Sequence, residues 1–122
     1  MSKVRVIAAL EPGFDESQTF IERRIWRQLK GAYNLDLVMV EPAERVERDM
    51  IVGHAVFMNP WKGETLSTYA HPAEATYLFG NAVTDLLHLM GAGDDCVRIV
   101  TPKPCDMFGC SAAAIVLDRR VT

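Results

Sequence analysis

Five short apolar runs, each halted by a proline or a glycine, constrain this chain most. "VRVIAAL" (Val4 to Leu10) is closed by the breaker "EPG", "LDLVMV" by Pro42, "HAVFMN" by Pro60, "ATYLF" by Gly80 and "CVRIVT" by Pro102. Runs of this length and composition, bounded by such punctuation, read as buried strands.

Helical stretches fall between them. "DESQTFIERRIWRQLKGAY" has Ser17 or Asp15 as its cap and Glu16 in its first turn. Phe20, Ile21, Ile25 and Leu29 form its expected apolar face, and Gly31 suits its end. "AVTDLLHLMG" reads as a second helix with Val83, Leu86, Leu87 and Met90 on one side, broken by Gly91 and Gly93. "SAAAIVLDRR" reads as a small-residue helix capped by Ser111. "KGETLSTYAHP" is polar and turn-rich, with room for a short helix over Lys62 to Tyr69. Strands alternating with helices predict an α/β fold, a mostly parallel sheet with helices on both faces.

Length and charge narrow the function classes. The 122 residues fit one domain, spanning 1–122. Hydrophobic content of 49% and charged content of 24% are ordinary globular values and argue against disorder. No run approaches the roughly 18 apolar residues that cross a bilayer, so a cytoplasmic protein with no membrane partner is expected. The net charge of −3 does not advertise a nucleic-acid binder, although a local basic patch could still serve. Three cysteines with no tight pairing pattern suit a reducing compartment. Cys105 and Cys110 match no zinc spacing and His54, His71 and His88 are scattered, so no metal is expected.

Parallel sheets bind ligands at the carboxyl ends of their strands. Here those ends are Glu11-Pro12-Gly13, Glu41-Pro42, Asn59-Pro60, Gly80-Asn81 and Thr101-Pro102. The stretch "HPAEATYLFGN" poses the question most sharply. Gly80 either simply ends a strand, or opens a ligand loop that backbone must approach closely.

The order "HPAEATYLFGN", helix, "VRIVTPKPCDMFGCSAAAIVLDRR" resembles the C-terminal half of SPOUT-superfamily RNA methyltransferases of the SpoU-like branch. That family has a strand ending in a glycine dipeptide, a helix, a strand ending near a proline, a short loop and a small-residue helix. The resemblance implies a C-terminal trefoil (α/β) knot whose loops cradle S-adenosylmethionine, in a homodimer whose partner completes the active site. By position the cofactor loops are Leu78 to Ala82, Ile99 to Pro104 and Met107 to Ser111. Leu78, Phe79, Gly80, Asn81, Ile99, Val100, Thr101, Pro102, Met107, Gly109 and Cys110 are then the cofactor contacts. The implied activity is methyl transfer to RNA, a tRNA or rRNA, at a ribose 2′-hydroxyl.

The family also carries Asn-x-Gly followed by an arginine on its first helix. Here Ser17 stands near the Asn, with Arg23 at matching spacing and Arg24 and Arg27 as neighbouring registers. Arg23 or Arg24 would favour the deprotonating hydroxyl. Ser111, or Gly109 in the neighbouring register, stands at the Asn position of the family's Ser-Leu-Asn, and Ser111 completes the implied catalytic set. The sequence departs from the family at Ser17, Thr19, Ala82 and Ser111, which touches catalysis more than cofactor binding. Two rivals stand beside this reading: a knotted module that binds the nucleoside without transferring methyl, and an unknotted doubly wound domain with a phosphate ligand. "ALEPGFDES" is only a loose phosphate cradle, which counts against the second.

Overall fold

Ala75–Phe79, five consecutive buried residues, form the central strand of a six-stranded sheet in the computed structural model. The structure describes residues 4–10, 16–81, 84–103 and 105–122. In chain order the elements are β1 (Arg5–Ala9), α1 (Glu16–Tyr33), β2 (Asp36–Val40), β3 (His54–Met58), β4 (Glu64–Thr65), β5 (Ala75–Phe79), β6 (Asp95–Arg98) and α2 (Gly109–Val121). Strand order is β2-β1-β5-β3-β6-β4, and every described pairing is parallel. The expected parallel α/β sheet is present, with β4 as a short added edge strand within "KGETLSTYAHP".

Alternation along the strands builds two cores. Val6, Ala8, Val56, Tyr77, Phe79 and Val97 point to one face, where Trp26 and Leu29 of α1 and Ala113, Val116 and Leu117 of α2 meet them. Full burial of a Val or Leu side chain contributes about 1.5–3 kcal/mol, enough for Val116 and Leu117 to dock α2. Ile7, Ala9, Ala55, Phe57 and Leu78 point to the other face, covered by Ala43, Val46 and Leu86. Both α-helices therefore lie on one face. The opposite face is covered by 3-10 turns at Ala43–Arg45, Arg48–Met50 and Leu87–Leu89 with the loops around them, which corrects the expectation of helices on both faces.

Three local expectations change. The inner face of α1 is carried by Trp26 and Leu29, while Phe20 and Ile21 are 64% and 55% exposed. "AVTDLLHLMG" is not an α-helix over its described residues. Asn81 Oδ1 accepts the Thr84 amide at 2.7 Å and Asp85 Oδ1 accepts the Leu87 amide at 3.1 Å, so side chains capture the donors a helix would use. Finally, α2 begins at Gly109 and Ser111 is an exposed residue of its first turn, not its cap. Asp15 and the breaker Glu11-Pro12-Gly13, with Ala82, Val83 and Pro104, lie outside the described residues.

Candidate functional site

The carboxyl ends of β1, β3, β5 and β6 surround a cavity of about 330 Å³. Small-molecule sites span about 300–1,000 Å³. Leu10 follows β1, Asn59 follows β3, Gly80 and Asn81 follow β5, and Ile99 follows β6. The first turns of α1, through Gln18, Thr19 and Glu22, and the segment from Cys105 into α2 close the remaining sides. This is where pattern reasoning placed a ligand.

The wall is apolar at its base. Trp26 meets Phe79 edge-on, with ring centroids 5.5 Å apart and an interplanar angle of 61°. Met58, Ile99 and Met107 extend that surface. Two glycines let the loops close on each other. A Cβ at Gly80 would sit 2.4 Å from the Thr84 carbonyl oxygen, and one at Gly109 would sit 3.3 Å from the Gly80 carbonyl oxygen. The turn after β5 and the start of α2 are therefore in backbone contact, an approach that side chains would prevent.

Of the cofactor residues expected from sequence, Phe79, Gly80, Asn81, Ile99, Met107, Gly109 and Cys110 line the cavity. Leu78, Val100, Thr101 and Pro102 do not. Leu78 faces the opposite core, as strand alternation requires for the neighbour of Phe79. The sixth strand ends at Arg98, earlier than expected, which leaves Val100 61% exposed. Thr101 Oγ1 turns back to donate to the Lys103 carbonyl, and Pro102 is exposed.

Neither Arg23, Arg24 nor Ser111 is among the lining residues. Arg23 pairs with Glu41, Arg24 is exposed, and Ser111 is exposed on α2.

The charge in the cavity has one sign. Glu22, Asp85 and Asp106 line it, and no described Lys, Arg or His does. Gln18 Nε2 donates to Glu22 Oε1 at 3.2 Å, holding the carboxylate. Burial pushes the Cys110 thiol up from its ordinary pKa, and the negative charge of Glu22 adds to this. Cys110 is a buried, packed thiol whose protonated form is favoured. Among the described residues no group of three or more His, Cys, Asp or Glu could hold a metal ion. No described helix is long and apolar enough to cross a membrane.

Glu22 escaped the sequence reading, and Asn59 was named there only as a strand end. Glu22 precedes Trp26 by one helical turn, so choosing Trp26 for the inner face would have revealed it. Asn59 carries a turn signal, an asparagine before proline at a strand end.

A solved structure from Bacillus anthracis, provisionally assigned as an RNA methyltransferase, superposes with a TM-score of 0.57 at 15% sequence identity. The match covers 96% of this chain and 91% of that one. The likeness is one of fold. No family model and no curated protein matches this sequence.

Proposed function

We propose that this domain binds S-adenosylmethionine at the strand carboxyl ends and transfers its methyl group to RNA, as a SPOUT-type, SpoU-like enzyme. The observation that carries the reading is the cavity: an apolar wall beside three carboxylates, with no described cation in the lining. A phosphate-bearing ligand would meet negative charge and no described cation there. A sulfonium cation beside a nucleoside base with apolar faces suits that lining. The fold shared with the Bacillus anthracis protein supports the same class.

When bound, S-adenosylmethionine supplies an electrophilic methyl group on sulfur. Phe79, Ile99 and Met107 would hold its apolar parts, and backbone at Gly80 and Gly109 would approach it closely. Glu22, Asp85 and Asp106 favour positive charge within the cavity. Arg23 or Arg24, outside the lining of their own chain, would serve the site of a two-fold partner and stabilise a ribose alkoxide. That arrangement belongs with the trefoil knot and homodimer of the family. Ser111, exposed beside the cavity segment, completes the proposed catalytic set, and a tRNA or rRNA is the proposed acceptor.

One observation favours the module that binds without transferring. Arg23 is already committed to Glu41, and no described lining residue can act as a cationic catalyst. Calorimetric titration with S-adenosylmethionine and S-adenosylhomocysteine tests the shared part of both readings. Binding at one site per chain is expected, and no heat with no thermal stabilisation at millimolar ligand would remove both. Labelled methyl transfer to RNA by the wild type, lost in Arg23→Ala or Arg24→Ala with cofactor affinity kept, then selects the enzyme.

A further inference from the structure

The described residues bury two polar side chains beneath the sheet surface, Thr76 at 0% and Asn59 at 6% exposure. Buried polar groups are almost always paired, so the bonding of each can be followed atom by atom. Thr76 is saturated: Oγ1 accepts the Val52 amide at 2.9 Å and donates to the Val52 carbonyl at 2.5 Å. Asn59 is only half used. Its Oδ1 accepts two backbone amides, Trp61 at 2.9 Å and Lys62 at 3.0 Å. Those two donors fix which side-chain atom is oxygen, because a nitrogen there could accept neither.

The Nδ2 group, with its two hydrogens, is left without an acceptor among the described residues. No fully enclosed side-chain nitrogen or oxygen in the described structure goes unpaired, so this amide nitrogen has access to open space. Asn59 lines the cavity. Its position is rigid at both ends: its own amide donates to the Val97 carbonyl at 3.0 Å, and the turn it holds is tied to β6 by the Cys96 thiol on the Lys62 carbonyl. A donor of fixed orientation on a residue lining a cavity whose charged groups are all acceptors can serve as a specificity element.

We propose that Asn59 is the hydrogen-bond donor that selects the ligand in this cavity, giving its Nδ2 hydrogens to an uncharged acceptor of the nucleoside, a ring nitrogen or a ribose oxygen. The inference rests on the cofactor reading of the cavity and adds to it a residue with a stated atom and direction. The three carboxylates favour a cation but cannot recognise a lone pair. Asn59 offers a lining donor of fixed orientation that can.

Asn59→Asp and Asn59→Ser test it, because both keep an oxygen to accept the Trp61 and Lys62 amides and both remove the Nδ2 donor. The measurement is calorimetric titration of each with S-adenosylhomocysteine, alongside the thermal midpoint of the ligand-free protein. Both variants are expected to keep that midpoint and bind about tenfold more weakly or worse, the loss of one hydrogen bond to a buried partner. Affinity unchanged in both overturns the donor role while leaving the cofactor reading intact. Wild type that binds nothing overturns the cofactor reading and this inference together. A fall in the ligand-free midpoint that accounts for the weakened binding makes Asn59 structural and also overturns it. S-adenosylhomocysteine analogues with a deaza base or a deoxyribose then locate the acceptor. Wild type loses affinity for one of them and Asn59→Ser loses no more. Full additivity with every analogue overturns direct contact.

Discussion

The two ends of the sheet use polar side chains in opposite ways. At the amino end they are spent on each other. Arg5 bridges Asp36 and the Met50 carbonyl, Asp95 joins His54 at 2.9 Å to the Tyr69 hydroxyl at 2.6 Å, and Tyr77 joins His71 to Arg120. Arg120 also caps the Pro72 and Ala73 carbonyls and lies over the Tyr77 ring. At the carboxyl end Asn59 keeps a donor open and three carboxylates face a cavity. One end is a closed network that fixes where strands begin. The other is the end that carries the cavity.

Substitutions at the two ends should therefore separate stability from binding. Phe79→Ala breaks the comparison most severely, because Phe79 serves both the core and the cavity wall. Urea denaturation should show a loss of about 3–5 kcal/mol, and ligand affinity should fall with it. Tyr77→Phe touches only the amino end. It removes the partner of His71 Nδ1 and one acceptor of Arg120, so stability should drop by about 1–3 kcal/mol with S-adenosylhomocysteine affinity unchanged. Coupled losses of both would show that the ends are not independent.

Glu22→Gln should do the reverse. Denaturation midpoints should stay put, while affinity for S-adenosylmethionine falls roughly fivefold more than for S-adenosylhomocysteine, which lacks the sulfonium charge. Equal effects on the two ligands would show that Glu22 does not sense that charge.

The smallest effect is one of pH. Burial, with a hydrogen bond to Asp95, raises the Tyr69 hydroxyl above its ordinary pKa of 10.0. The unfolded chain then loses that proton first, so the stabilisation is complete below about pH 10 and declines as pH rises beyond it. Alkaline unfolding should be less steep in Tyr69→Phe, followed by circular dichroism.

Much of this architecture was legible in the sequence because strands advertise themselves twice, by apolar runs and by the prolines and glycines that end them. The placement of the cavity followed from parallel topology alone. What escaped was decided by competition between neighbours. Phe20 and Ile21 have helical spacing as good as that of Trp26, and only the position of Phe79 across the interface decides which side turns inward. "AVTDLLHLMG" has helical periodicity, but Asn81 and Asp85 take its backbone donors for turns. Val100 and Thr101 looked like strand because their composition suits one, yet beyond Arg98 no neighbouring strand pairs with them. The open amide of Asn59 could not be read at all, since it depends on two bonds that only the folded turn reveals.

The central place of β5 also governs how the chain can be made. β5 separates β1 from β3, yet it follows both in the chain. Until Phe79 emerges, β1 and β3 each present an unpaired edge with nothing to join them. A nascent chain stopped before that point holds the β1-β2 pair and the unpaired strands β3 and β4, with exposed apolar faces, a species prone to aggregate or to recruit a chaperone. Gly80, Asn81 and the amino end of α2 arrive later still, so the cavity is complete only after the central strand has been made.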